Sequence, residues 1–348
     1  MTPPSTGVPV EGIDPEPTTA WLVDHVEGVA APLRFEKCAG GRSNLTYRVV
    51  DARGAELVLR RPPLGSILST AHDMGREHRI ISALGPTDVP VPPALGLCED
   101  PEVNGAPFYV MGFVAGAVLA TLDEGLAFPE AERGRAADSA VDVLARLHAV
   151  DPDAVGLGAL GRKEGYLERQ LRRWHAQFEQ SKTRELPLEA EVHRRLSLSV
   201  PPQRYTGVVH GDYRLGNMLM GPDGRVRAVL DWELATLGDT LADVGWLVTH
   251  WGEPGEGFTG LAPPPTMAPG FPSRAHVVER YAAATGRDLS DLAYYVAFAR
   301  WRSVCILEGV LSRFKAGVMG RSDIDIDAMS TWVVGEAEEA RAALDSWT

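Results

Sequence analysis

Three oxygen-bearing side chains stand at a spacing that could do chemistry. In HGDYRLGNMLM, residues 210–220, the residues His210, Asp212 and Asn217 follow the pattern H-x-D-x-x-x-x-N, and Asp231 comes next in VLDWE. Moving a phosphoryl group to a hydroxyl needs one carboxylate to orient that hydroxyl and accept its proton. It also needs hard oxygen ligands that hold Mg²⁺ against nucleotide phosphates. Asp212 suits the first task; Asn217 and Asp231 suit the second. The bland alternative is a polar turn whose Asp and Asn satisfy loop backbone. Two flanking apolar strands and an acid at the right distance favour chemistry.

Those residues need elements to hold them. VVHGD and VRAVLDW read as short strands, and a hairpin between 206–210 and 226–230 is expected to bring the three groups to one end. Upstream, LRFEKCAGGRSNLTYRVVDARGAELVLRRP reads as strands near 33–38, 44–50 and 55–61, with glycine-bearing turns between them. Pro62-Pro63 stops the third strand, since proline removes a ladder donor. A helix over 73–84 and two short strands in VPVPPALGLC and PFYVMGFVAG complete a β-rich part. Residues 1–18 are expected to be a loose arm, with a helix starting near Thr18 or Thr19. After Gly116 helical periodicity dominates: 130–149, 164–182, LADVGWLVTHW, 273–285, 290–316 and about 327–345. Residues 253–272 hold six prolines and four glycines, and a loop of that length is usually functional or disordered. The expected division is an arm and helix at 1–29, a β-rich lobe at 30–114 and a helical lobe at 115–348.

Composition narrows the function. With 348 residues the chain can bury a large core in one or two domains. Its 34 basic and 47 acidic residues give −13, which argues against a phosphate-backbone binder, so no nucleic-acid partner is expected. No run approaches the ~18 apolar residues of a membrane span. The opening MTPPSTGVPVEGIDPEP does not resemble a secretory signal. Cys38, Cys98 and Cys305 form neither a CxxC pair nor a disulfide framework, which fits a reducing cytoplasm. Residues 156–161, GLGALG, spell GxGxxG. A dinucleotide fingerprint needs a preceding strand and a following helix; here a helix and Asp151-Pro152 come first, so an interhelix loop is expected.

Through HGDYRLGNML, LDWELATLGDTLADVGW and the RQLRRW helix, roughly residues 30–345 resemble the aminoglycoside phosphotransferase/choline kinase-like family. The resemblance is closest to the kinase-like domains associated with acyl-CoA dehydrogenases. It implies a two-lobed, protein-kinase-like α+β fold, with ATP and Mg²⁺ as cofactors. Asp212 and His210 then lie in the catalytic loop, and Asn217 and Asp231 hold the metal. In Leu57-Val58-Leu59-Arg60, Arg60 stands where the phosphate-binding lysine usually does, and Glu77 matches its carboxylate partner. Arg61 points to the opposite sheet face, so only one of the pair can serve. Gly41 and Ser43 occupy the place of the glycine-rich phosphate loop, although the turn is not GxGxxG. In MGFVAG, the Gly112 carbonyl and the Val114 amide take the place of the adenine-binding connector. Asp243 resembles the acid that braces the catalytic loop.

The expected function is ATP-dependent transfer of the γ-phosphate to a small-molecule hydroxyl. The rivals are an aminoglycoside-type kinase and a silent nucleotide-binding pseudokinase scaffold. Loss of Asp212, Asn217 or Asp231 would mark the scaffold, and all three are present. The acceptor's identity, the preference for ATP over GTP and the oligomeric state stay open, a homodimer among the options. From 161 to 185, seven basic residues against four acids give +3, with Tyr166 and Trp174 on the same stretch. Cationic and aromatic groups together suit an anionic, partly apolar acceptor such as a hydroxy acid or hydroxyacyl-CoA. Trp246, Trp251 and Trp301 would add aromatic surface. The alternatives are a solvated basic helix, or an aminoglycoside pocket lined by acids such as Asp323, Asp325 and Asp327.

Overall fold

Alternating apolar positions in LTYRVV and ELVLRR make strands whose two faces differ. The computed structural model describes residues 10–38, 44–65, 73–258, 260, 262–317 and 325–347. Gly41 and Ser43 therefore lie outside the described residues, as does Asp323. The chain divides into two units, Met1–Ala115 with Ala228–Glu233, and Gly116–Arg227 with Leu234–Thr348.

In the first unit, β1 (Arg34–Lys37), β2 (Leu45–Val50), β3 (Glu56–Arg61), β4 (Ala94–Cys98) and β5 (Phe108–Gly112) form one antiparallel sheet in the order β1-β2-β3-β5-β4. Phe35, Tyr47, Val49, Leu57, Leu59, Phe108 and Val110 bury against Leu22 and Val26. Those last two belong to α1 (Pro15–His25) and its C-cap. The helix thus begins before Thr18, because proline is tolerated in a first turn whose amides have no helical partner anyway. The arm and helix expected at 1–29 are, in their described part, core of this unit. The helix α2 (Met74–Leu84) buries Ile80, Ile81 and Leu84, and Asp73 caps it by accepting from the Arg76 amide. A single turn, α3 (Pro101–Asn104), sits between β4 and β5.

The second unit is mainly helical: α4 (Leu122–Ala127), α5 (Glu130–Ala149), α6 (Tyr166–Ser181), α7 (Pro187–Leu198), α8 (Leu241–Thr249), α9 (Arg274–Thr285), α10 (Leu292–Lys315) and α11 (Ile326–Trp347). Thr121 and Glu124 form a reciprocal cap on α4. The hairpin expected between 206–210 and 226–230 does not form. Instead β6 (Thr206–Val209) pairs with β9 (Thr236–Asp239), and β7 (Met218–Met220) pairs with β8 (Val226–Val229). The reason is local. Pro222, Asp223 and Gly224, the last at φ +73°, make a tight turn that returns the chain directly onto β7. The chain enters the first unit within β8, so 228–233 leaves the helical part to which 115–348 was assigned.

Pro/Gly-rich 253–272 is tied down over its described residues. Thr266 donates to the Gly252 carbonyl at 2.8 Å, Trp251 Nε1 to the Pro272 carbonyl at 2.9 Å, and buried Arg133 to the Pro269 carbonyl at 2.5 Å. GLGALG at 156–161 follows α5 through turns rather than a strand, so no dinucleotide fold is present there.

Candidate active site

In the first unit the sheet register sorts the two adjacent arginines. Alternation puts Arg61 with Leu57 and Leu59, where its guanidinium donates to the carbonyls of Gly12 (2.5 Å) and Asn104 (2.9 Å). Arg60 faces the other way. Its Nε lies 3.1 Å from Glu77, and its Nη2 lies 2.6 Å from Asp231 and 3.7 Å from Glu233. Glu77 is only 2% exposed; it accepts from the Tyr109 hydroxyl and from Asn44 Nδ2, both at 3.1 Å. Asn44 Nδ2 also reaches Glu233 at 3.1 Å. Burial pushes the Glu77 carboxyl up to about 7 against the pull of Arg60. Burial opposes the charge on Arg60, but Glu77, Tyr109 and Asp231 outweigh it and hold the group above its ordinary range.

Asp231 adopts φ +64°, a left-handed conformation that Asp tolerates better than most residues. Such a residue costs about 1–3 kcal/mol and persists only where its surroundings fix it. Here the Arg60 contact takes Asp231 Oδ1. At the end of β5, Gly112 pairs with Leu57 and donates to the Pro93 carbonyl at 2.8 Å. Val114 is half-buried, and its amide makes no hydrogen bond among the described residues.

In the second unit a turn is held by its backbone. Asp243, in the first turn of α8, accepts from the His210 amide (2.7 Å) and the Gly211 amide (2.8 Å). His148 Nε2 stands 3.3 Å from the same carboxylate. His210 is fully buried and its Nδ1 accepts the Asp212 amide at 3.2 Å. The side chain of His210, expected in the catalytic loop, shapes that loop from inside.

Asp212 has a different environment. Trp246 Nε1 donates to its Oδ1 at 2.7 Å, Asn217 Nδ2 to its Oδ2 at 2.6 Å, and Arg214 Nε lies 3.4 Å away. Burial would raise the carboxyl, yet Arg214, His250 and Arg302 together hold it below the usual range, so it is ionised near neutrality. Asn217 spends its amide nitrogen on Asp212, and its Oδ1 makes no hydrogen bond among the described residues. That oxygen, like Asp231 Oδ2, is the hard donor type that suits Mg²⁺. No group of three or more His, Cys, Asp or Glu among the described residues is arranged to hold a metal. A Mg²⁺ ion usually takes one or two protein donors and completes its shell with phosphate and water.

Sequence reasoning missed Tyr109, Glu233, Trp246 as a ligand of Asp212, and Arg302. Glu233 carried a signal, standing two residues after Asp231. The aromatic surface expected from Tyr166, Trp174, Trp246, Trp251 and Trp301 is absent, because all five are core residues. Trp301 instead donates to buried Glu189 at 2.9 Å. Among the basic residues of 161–185, Lys163, Lys182 and Arg184 pair with acids, and Arg169 binds backbone carbonyls. Exposed Arg172 and Arg173 form no ion pair among the described residues, and Arg173 lies 5.4 Å from the Trp174 ring centre. Asp325 accepts from the amides of Asp327 and Ala328 at the start of α11, the role of a helix cap.

The family described as the phosphotransferase enzyme family matches residues 34–295. Acyl-CoA dehydrogenase family member 10 of Mus musculus is 36% identical over 85% of this chain, and the match spans 28% of that protein. The Arabidopsis thaliana protein IBR3, named as a probable acyl-CoA dehydrogenase, is 34% identical over 85% of this chain and 39% of its own length. This chain thus covers well under half of those relatives. A solved Ralstonia eutropha structure, named as a candidate aminoglycoside phosphotransferase, is 36% identical with a TM-score of 0.78, covering 95% of this chain and 99% of that one. The fold is accordingly two-lobed, kinase-like and α+β. The chain belongs to the phosphotransferase enzyme family.

Proposed function

We propose that this protein transfers the γ-phosphate of ATP to the hydroxyl of an anionic small molecule, such as a hydroxy acid or its CoA thioester. The carrying observation is Asp212, a carboxylate kept ionised and oriented by Trp246 and Asn217 on a turn pinned by Asp243. An oriented carboxylate can accept the hydroxyl proton as the oxygen attacks phosphorus, while ADP leaves with the bond electrons. Arg60 supplies a cation for the nucleotide phosphates, kept in place by Glu77. The Gly112 carbonyl and Val114 amide are the adenine contacts of this assignment. Asn217 and Asp231 would each offer Mg²⁺ a hard oxygen; the ion, when bound, neutralises charge on the phosphates.

An anionic acceptor is favoured by Arg172 and Arg173, which are exposed and lack acidic partners among the described residues. The aminoglycoside alternative loses support at Asp325, whose carboxylate is engaged in capping α11. The relatives named as acyl-CoA dehydrogenases make acyl-CoA chemistry a natural neighbour for such an acceptor. The test is ADP release from Mg²⁺-ATP over a panel of hydroxy acids, hydroxyacyl-CoA thioesters and aminoglycosides. Stoichiometric ADP and phosphorylated product from an anionic member supports the assignment. Turnover confined to kanamycin-like compounds overturns the acceptor class, and nucleotide binding without turnover on any member would leave a scaffold.

A further inference from the structure

Arg302 is a buried cation with no carboxylate partner among the described residues. It lies in α10, 5% exposed, and forms no ion pair among the described residues. Burying a guanidinium without an anion is costly, so its other contacts must hold it there. Its Nη2 donates to the Gly211 carbonyl at 2.5 Å. Its guanidinium carbon lies 4.1 Å from the Trp246 ring centre and 5.2 Å from that of Trp174, both within cation–π range. Its Nε makes no hydrogen bond among the described residues.

Two of the three groups that Arg302 grips, the Gly211 carbonyl and the Trp246 ring, adjoin Asp212. Gly211 immediately precedes it, at φ +85°, where a side chain would be strained and a Cβ would come within 2.9 Å of the Leu234 carbonyl. The peptide joining Gly211 to Asp212 has its carbonyl on Arg302 and its N–H on His210 Nδ1, which fixes the plane from which the Asp212 side chain leaves. The second group, the Trp246 indole, donates to Asp212 Oδ1. We propose that Arg302 is a positioning residue for phosphotransfer, fixing the Asp212 carboxylate through the Gly211 carbonyl and through the face of Trp246.

This role rests on Asp212 being the base, and the test separates the two. In the full ¹⁵N-labelled chain, the Trp246 indole N–H resonance, assigned with Trp246→Phe, reports its bond to the carboxylate at neutral pH without any substrate. Asp212→Asn sets the resonance for a neutral partner. In Arg302→Gln the resonance is expected to move from the parent position toward that of Asp212→Asn. Alongside it, kcat on whichever panel member turns over should fall by ~10–100-fold, with KM for Mg²⁺-ATP within about two-fold. Arg302→Lys keeps the charge but lacks the planar fork, so it should restore part of the kcat loss. A parental resonance and parental kcat in a folded Arg302→Gln chain overturn the positioning role. If the Gln variant does not fold, parental values in Arg302→Lys and in Arg302→Met overturn it equally. A moved resonance in a protein that turns over no acceptor upholds the positioning and overturns the transfer function.

Discussion

The Arg60 cluster and the Asp212 turn hold their carboxylates by opposite means. Around Arg60, three carboxylates share one guanidinium, and two neutral groups, Asn44 and Tyr109, stitch Glu77 in place. Around Asp212, neutral donors make the short contacts and the nearest cation stands at 3.4 Å. The backbone there is clamped by Asp243 rather than by side-chain ion pairs. A charge cluster can exchange partners: under the proposed function, Arg60 would release Asp231 to the metal and take a phosphate in its place. A turn tied through its amides keeps one geometry, which a proton acceptor needs.

The largest effect should fall on the rigid turn. Asp212→Asn removes the proton acceptor and leaves the fold intact, so turnover should drop by ~10²–10⁴-fold while Mg²⁺-ATP affinity stays near parental. Single-turnover kinetics with calorimetric ATP titration checks both. Activity within a few-fold of the parent, in a folded protein, would break the assignment. Asp231→Ala comes next and should behave differently, losing affinity and turnover together. The loss of Mg²⁺-dependent ATP affinity should at least match the roughly 10–100-fold caused by removing even an outer-shell metal partner. Unchanged affinity would return Asp231 to a purely structural pairing with Arg60.

The two regions also differ in how well the sequence announced them. Arg60 against Arg61 was legible because strand alternation is strict: one residue of slip would have exchanged them, and the alternation of buried positions along β3 decides the matter. The Asp212 turn was legible in type and spacing but not in support. β9 is four residues long and begins 27 residues after β6 ends, too short and too distant to show as a partner. The Pro222-Asp223-Gly224 turn did carry its own signal, a proline–acid–glycine run between apolar stretches, and it argues for β7–β8 rather than the longer hairpin. Thr121-x-x-Glu124 likewise spelled a capping box for α4 that went unused. Trp246 and Arg302 were invisible as a pair, since only tertiary packing brings α8 and α10 together at one carboxylate.

The third prediction sharpens the register. Arg60→Ala should raise KM for ATP by about ten-fold and lower kcat, because a charge-assisted phosphate contact worth ~1.5–3 kcal/mol is lost. Arg61→Ala should leave KM unchanged but lower stability by roughly 1–3 kcal/mol, since the buried carbonyls of Gly12 and Asn104 lose their donor. Steady-state kinetics and thermal melts of the two variants read the contrast. A KM effect at Arg61 alone would place the register one residue off.

The smallest effect concerns protons at Glu77. Its carboxyl is raised in the fold to about 7, from an ordinary value near 4.5, so between those pH values the folded chain binds more protons at this group than the unfolded chain does. Stability from this group is therefore fully present below about 4.5 and is lost as pH rises toward 7. Glu77→Gln cannot ionise, keeps an acceptor for Tyr109 and should flatten this slope. Comparing Tm for parent and variant at steps from pH 5 to 7.5, the parent should lose ground to the variant as pH climbs. The variant is not free of cost, because Arg60 loses its most buried anion, and that loss is electrostatic and so weakens with added salt far less than an exposed pair would. Parallel Tm curves at every pH would mean that Glu77 is ionised throughout, held by Arg60 against burial. The first unit would then resemble the second, with its carboxylates fixed in one charge state, and the contrast between an exchangeable cluster and a rigid turn would rest on Asp231 alone.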